Sequence, residues 1–282
     1  MKMKIRTRAG RCARLSRQIG AASLVLGMAM STVAIARDGG NGGRGASVPG
    51  FTTLVLGGTL AGPNDNPFTV AIVLANEPDD AMAYFCEGVQ YTPTVVITSA
   101  FCMDGRDPKG LRVLTGTRRL DGSGTRREIA EVKLHPKWNL DLGADYDIAI
   151  IRLKSPVPNA RLASLASVDP AVGTPLLSTG WGRTTLDGSS GVALTKARIP
   201  VVSRANCNDA NSYNGEITQR MFCAGYDFQN IGPCLEIGSP LAQGTTLFGI
   251  NSVQGFCPEP NKVPVFTRIS NPEIRNFILN ND

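Results

Sequence analysis

The sequence predicts an all-β fold that ends in one short α-helix. Short apolar segments with partial alternation recur from residue 55 onward, separated by Gly, Pro, Asn and Asp, and no long helical stretch lies between them. Many short strands at this spacing are typical of a β-barrel or a β-sandwich. The clearest strand patterns cover residues 94–99, 112–116, 128–134, 147–153, 193–202, 247–253 and 263–269.

The helix is predicted to begin at the C-terminal Asn-Pro-Glu sequence. Asn271 can cap the first helical amides, Pro272 suits the first helical position, and Glu273 favours the positive end of the helix dipole. The apolar residues that share one face are Ile274, Phe277 and Ile278.

Residues 1–36 have the pattern of a secretory signal peptide. Seven basic residues precede an apolar run that ends in Ala-Ile-Ala at residues 34–36, which is a typical cleavage site. The alternative is a membrane anchor, but glycine and hydroxyl residues make the run short and weakly apolar for a span. We therefore expect a secreted or periplasmic protein that starts at Arg37 and has no membrane span.

The charge of the mature chain gives no support for a nucleic-acid partner. The full sequence carries 29 Lys and Arg against 23 Asp and Glu, a net charge of +6. Without the seven bases of the signal, 22 bases remain against 23 acids, so the mature chain is near neutral.

Residues 37–54 are rich in glycine and are predicted to form a flexible leader or pro-segment. They contain a Gly-x-Gly-x-x-Gly spacing at residues 40–45, but no strand precedes it and no helix follows. We therefore expect no dinucleotide cofactor.

The cysteines predict disulfides. After the signal the chain has an even set, which in an exported protein indicates disulfide bonds whose connectivity spacing alone leaves open. These residues are Cys86, Cys102, Cys207, Cys223, Cys234 and Cys257. Zinc is the competing use, but the chain has one histidine and no Cys-x-x-Cys, so we expect no metal.

A series of short motifs resembles the trypsin-like (chymotrypsin-fold) serine protease family. The motifs occur in the family's order over nearly all of the mature chain. They cover residues 55–58, 85–88, 98–102, 146–153, 179–182, 221–225, 234–241, 249–252 and 265–268. The resemblance implies one domain over residues 55–282, built as two six-stranded antiparallel β-barrels that meet between residues 165 and 173.

The resemblance also implies the disulfide pairing. The family's commonest bridges correspond to Cys86 with Cys102, Cys207 with Cys223, and Cys234 with Cys257.

At two of the three catalytic positions implied by the resemblance, this chain has a residue that cannot perform the family's chemistry. Phe101 stands where the family has its histidine, and Ile237 stands where it has its serine, next to a one-residue deletion. Asp147 retains the position of the third residue. The one histidine, His135, lies in a segment that resembles a surface landmark of the family and has no catalytic role there.

Acyl transfer by a serine needs a nucleophile and a base to take its proton. Ser239 is the alternative nucleophile, although it can equally be a structural replacement for a family glycine. Without a base, Asp147 is predicted to be a buried acid whose pKa is raised by desolvation, unless several donors reach it.

The substrate-binding positions implied by the resemblance are altered as well. The oxyanion-hole glycine corresponds to Leu235, and the specificity position is Gly232. The pocket walls carry Val253, Gln254 and Pro264, which we expect to narrow or fill the pocket.

The family's activation pair corresponds to Val55 and Glu236, but Leu54 is not a residue that a trypsin-like activator selects before the cut. A calcium site in the loop 121–128 is disfavoured by Arg126 and Arg127.

The leading hypothesis is an exported serine protease homologue without activity, a pseudoprotease, that acts as a monomer by binding an unknown protein: a protease, an inhibitor or a surface protein. One alternative is an active serine-type endopeptidase or hydrolase that uses Ser239. Another is a structural or adhesive surface protein for which the fold is only a scaffold.

Overall fold

The computed structural model describes residues 58–139, 144–182, 191–226, 236–252 and 261–282. The strands in these ranges are β1 (Thr59–Leu60), β2 (Thr69–Leu74), β3 (Tyr84–Thr92), β4 (Val95–Thr98), β5 (Leu111–Thr115), β6 (Thr125–Leu134), β7 (Ala149–Leu153), β8 (Ser164–Leu165), β9 (Pro175–Gly180), β10 (Thr195–Val202), β11 (Met221–Ala224), β12 (Pro240–Gln243), β13 (Thr246–Asn251) and β14 (Val265–Arg268). The α-helices are α1 (Asp80–Ala83), α2 (Ala100–Met103), α3 (Arg204–Cys207) and α4 (Pro272–Leu279), and a 3₁₀ turn covers Pro108–Gly110.

The first barrel consists of six antiparallel strands in the order β2, β3, β4, β7, β6, β5, and it closes through pairing of β5 with β2. Its strands are rich in β-branched residues; β4, for example, is Val-Val-Ile-Thr and is buried along its whole length. Closure removes the exposed strand edges of an open sheet.

The second barrel has the order β10, β11, β14, β13, β12, β9 and closes through pairing of β9 with β10. Two short strands are added to it: β1 pairs with β10, and β8 pairs with β13 in parallel. The prediction of two six-stranded antiparallel barrels is therefore confirmed.

The junction between the barrels differs from the expectation. The first barrel was expected to end near residue 165, but its last strand, β7, ends at Leu153. Ser164 and Leu165 instead pair with Thr246 and Leu247 of the second barrel. The segment after β7 therefore crosses to the second barrel before residue 164.

The predicted C-terminal helix is confirmed as α4. Asn271 Oδ1 accepts hydrogen bonds from the amides of Glu273 (3.0 Å) and Ile274 (3.4 Å). Ile274 and Ile278 are fully buried on the inner face of the helix. Of the helices in the described ranges, none is long and apolar enough to cross a bilayer.

Candidate functional site

Asp147, the acid that the resemblance implies for the catalytic set, lies just before β7 and is only 1% exposed. Ser99 Oγ donates to its carboxylate from 2.7 Å, and the amide of Phe101 donates to Oδ1 from 2.8 Å. Burial raises the pKa of Asp147, whereas the hydroxyl of Ser99 and the amide of Phe101 favour its charged form. Burial prevails in this balance, and the hydrogen bonds from Ser99 and Phe101 join the carboxyl group to the start of α2.

Phe101 lies in α2, where its backbone amide keeps contact with Asp147 while its side chain is 46% exposed. A phenyl ring has no lone pair that can accept a proton. The local backbone geometry therefore joins Asp147 to a residue that cannot act as a general base.

Ile237 lies in the turn before β12 and is partly buried against the apolar core of the first barrel. Its carbonyl oxygen accepts a hydrogen bond from the amide of Glu87 at 2.9 Å and lies 3.7 Å from Cys102 Sγ. This residue is therefore adjacent to α2, and its side chain carries no nucleophilic atom.

Ser239 is fully buried, and its hydroxyl has no hydrogen-bond partner among the described residues. Its backbone is tied to neighbours on both sides: its amide donates to Glu236 O (3.1 Å), and its carbonyl accepts from the amide of Asn251 (2.9 Å). A substrate carbonyl cannot reach a buried hydroxyl, so this geometry does not favour the alternative nucleophile.

Glu236 is fully buried and lies beside a second buried acid, Glu87 of β3. The amide of Gly182 donates to Glu236 Oε1 at 3.2 Å. Glu87 Oε1 accepts from Tyr84 Oη at 2.7 Å and from the amide of Trp181 at 2.6 Å. Val55, the other member of the predicted activation pair, lies outside the described residues.

Burial raises the pKa of Glu87 to about 8, although the hydrogen bonds from Tyr84 and Trp181 favour the charged carboxylate. Burial and the adjacent Glu87 carboxyl hold the pKa of Glu236 well above its ordinary value, while the amide of Gly182 opposes this. The pKa of Tyr84 is also raised, by burial first and then by the two acids.

The expectation that His135 lies at the surface is wrong. The residue is 6% exposed, its ring stacks on Tyr146 with centroids 4.7 Å apart, and its Nδ1 accepts a hydrogen bond from the amide of Lys137 at 3.1 Å. Burial lowers its pKa, so the ring is held neutral. The apolar residues that cover it come from non-local segments, including Phe277 of α4.

Two of the three expected disulfides lie in the described ranges. Cys86 is bonded to Cys102, and Cys207 to Cys223, with Cα atoms 6.1 and 6.3 Å apart. Cys234 and Cys257 lie outside these ranges, as do the pocket positions Gly232, Leu235, Val253 and Gln254. Pro264 is described, and its carbonyl accepts a hydrogen bond from the amide of Ala224 at 3.1 Å.

The acids of the loop 121–128 are engaged by basic side chains. Asp121 pairs with Arg119 at 2.6 Å, and Glu128 pairs with Lys154 at 2.8 Å. Across the part of the chain that the structure describes, no group of three His, Cys, Asp or Glu side chains is placed to hold a metal ion.

The sequence model of the family described as Trypsin matches residues 55–278. This chain belongs to the trypsin family. A relative described as Trypsin, from Saccharopolyspora erythraea, is 31% identical over 220 residues, which are 76% of this chain and 93% of the relative. Chymotrypsin-like elastase family member 1 is 32% identical over 241 residues in Macaca fascicularis and 29% identical over 238 residues in Homo sapiens. Each match covers 79% of this chain, and 88% and 91% of the respective relative.

Within the trypsin-family fold, sequence reasoning missed the pairing of Glu87 with Glu236. Glu87 lies inside an apolar strand, directly after Cys86. The available signal was a charged residue at a position that the strand pattern assigns to the core. Such residues are rarely buried without a partner, so Glu87 indicates a buried polar contact.

Proposed function

We propose that this trypsin-family chain is an exported protein without peptidase activity that acts by binding another protein. The observation that carries the proposal is the combination of Phe101, next to the retained Asp147, with Ile237 in the turn before β12. One side chain cannot accept a proton, and the other cannot attack a carbonyl.

We expect these two substitutions to cause a large loss of catalytic turnover. In a serine protease, loss of the serine or the histidine alone costs about 10⁶ in turnover. A factor of that size corresponds to roughly 8 kcal/mol of activation free energy. The buried hydroxyl of Ser239 offers no compensation, because an attacking atom must approach the substrate within contact distance.

Export is supported by the two disulfides, which form and persist in oxidising compartments. We assign residues 1–36 to the signal peptide, 37–54 to the leader and 55–282 to the trypsin-like domain. A third bridge between Cys234 and Cys257 belongs to the same proposal. In a chain that has been cut before Val55, the new terminal amine would pair with Glu236.

The binding surface is proposed to surround Phe101. Exposed aromatic side chains commonly anchor protein interfaces, where they bury a large area at small entropic cost. Phe101 is 46% exposed, and the next residue, Cys102, has its Sγ 3.7 Å from Ile237 O. A protein interface there would use a surface that no longer takes part in catalysis.

Activity is tested by the intact mass of the exported, non-reduced protein before and after treatment with a reactive organophosphorus serine reagent. We expect no added mass, and a protein six hydrogens lighter than its reduced form. Ser239→Ala is the matched variant, and active trypsin is the positive control. A label present on the wild-type chain and lost in Ser239→Ala would overturn the inactive assignment.

Binding is tested by capturing partners from the surroundings into which the protein is exported. Phe101→Ala is expected to reduce capture at least tenfold, the loss typical of a central aromatic anchor. Met82→Ala is the control, because Met82 is 74% exposed and lies in α1. Equal loss in both variants, or in neither, would exclude the surface around Phe101.

A further inference from the structure

Two fully buried glutamates meet where the two barrels join. Glu87 lies in β3 of the first barrel, and Glu236 precedes β12 of the second. A Cβ atom on Gly180 would lie 2.6 Å from Glu87 Oε1 and 2.6 Å from Glu236 Cδ. The two carboxyl groups are therefore no farther apart than twice that distance, and a side chain larger than glycine at position 180 would not fit between them.

The pair has no basic partner in the described part of the chain. Each carboxyl uses one oxygen to accept hydrogen bonds, whereas Glu87 Oε2 and Glu236 Oε2 have no partner there. The titratable side chain that faces the pair from the described residues is Tyr84, whose hydroxyl donates to Glu87. Two like charges at this separation, away from water, cannot both form without a large cost.

We propose that, in the chain that is not cut before Val55, Glu87 and Glu236 keep at least one proton between them at neutral pH and act as a pH-sensitive latch between the two barrels. Loss of that proton to solvent base leaves two buried anions facing each other. Their repulsion acts across the hydrogen bond from the Glu87 amide to Ile237 O, so the latch weakens as the pH rises.

The latch also regulates the proposed binding surface, and this step alone rests on the proposed function. Ile237 follows Glu236 directly and lies beside α2, which carries Phe101. Opening at the carboxyl pair would displace Ile237 from the first barrel, and so change the surface around Phe101.

The sign of the effect follows from proton binding. Burial raises the pKa values of both glutamates, so the folded protein binds more protons than the unfolded chain above the ordinary glutamate pKa. Stability from the pair is full below that value and is lost as the pH rises through about 8. His135 has the opposite sign, since its pKa is lowered from 6.5, but it contributes only below that pH.

The test measures urea unfolding between pH 6.5 and pH 8, a range above the ordinary pKa of His135. The Trp138→Phe background leaves Trp181 as the fluorescent reporter, and the Trp181 amide donates to Glu87. We expect the folding equilibrium constant to fall with rising pH, by up to about tenfold per pH unit for each proton retained. Glu87→Gln/Glu236→Gln should remove this slope, whereas Glu131→Gln/Glu216→Gln, at two exposed glutamates, should keep it.

Equal pH slopes in the wild-type background and in Glu87→Gln/Glu236→Gln would overturn the proposal. If that variant does not fold, infrared difference spectroscopy on the wild-type protein decides. A carbonyl band of a protonated carboxyl group should be lost between pH 6.5 and pH 10, and its absence would also overturn the latch. Neither readout involves a partner or a substrate, so failure of the latch leaves the proposed function to its own tests.

Discussion

Arg126 contacts both the loop before α1 and the first residue of that helix. Its guanidinium pairs with Asp80 at 2.7 Å and donates to the carbonyl oxygens of Glu77 (2.5 Å) and Pro78 (3.1 Å). The Asp80 side chain is only 3% exposed. Because the guanidinium is planar and always charged, it satisfies a buried acid and several carbonyls together.

We expect Arg126→Ala to lower the free energy of unfolding by about 3 kcal/mol, because it leaves the buried Asp80 carboxylate unpaired. Arg119→Ala is the matched control: Arg119 pairs with Asp121 at the surface, where both side chains are exposed. Its effect should be below about 1 kcal/mol. Urea unfolding at pH 7 checks both variants, and similar losses would contradict the role assigned to Arg126.

Single residues were predictable from the sequence where a motif fixes them. The motifs around Phe101 and Ile237 predict their places in the site, and this assignment stays a prediction. The burial of His135 was not visible, since the rings that cover it come from Tyr146 and from α4. The contact of Glu87 with Glu236 was also missed, because the two residues are far apart in sequence, as is Trp181, whose amide lies 94 residues from Glu87.

At the scale of elements, α4 shows how a local signal can fix a boundary. Asn271 caps the helix, and Pro272 occupies the first position, where no amide hydrogen is required. The inner face carries Ile274 and Ile278 into a core cluster shared with strands of both barrels. Capping and burial therefore favour the same start of the helix.

Asn271→Ala is expected to destabilise the protein by about 1 kcal/mol, the usual effect of losing a side-chain cap. Asn276→Ala changes the same residue type inside α4, at an exposed position. Because alanine is the better helix former, that control should be neutral or slightly stabilising. Thermal unfolding distinguishes them, and a loss in Asn276→Ala equal to that in Asn271→Ala would contradict the capping role.

Strands were predictable where burial alternates along the chain. The segment 193–202 corresponds to β10, whose alternate residues are buried. Two strands of the first barrel, β2 and β3, lack this alternation. Strand β2 is an almost continuous apolar run, and β3 has a glycine and a charged residue among its buried positions. The barrel closures follow from pairings such as β5 with β2, which no local pattern encodes.

At the scale of the whole molecule, one core cluster joins both barrels to the terminal helix. Phe68, Val89 and Ile97 of the first barrel pack in the same cluster as Leu247 and Ile250 of the second. Polar contacts cross the junction too, among them the hydrogen bond between the Thr69 and Thr179 hydroxyls at 2.8 Å. A core that is shared in this way should make unfolding cooperative across the two barrels.

Removal of the disulfide of the second barrel tests this coupling. Cys207→Ala/Cys223→Ala opens a bridge with a sequence separation of 16, so we expect a loss of about 3 kcal/mol. In a Trp138→Phe background, Trp181 fluorescence reports on the junction, and far-ultraviolet circular dichroism reports on the strands of both barrels. The two urea curves should stay superimposed and shift together. Curves that separate would mean that the barrels unfold independently, because a loss confined to the second barrel would then leave the first barrel's strands folded.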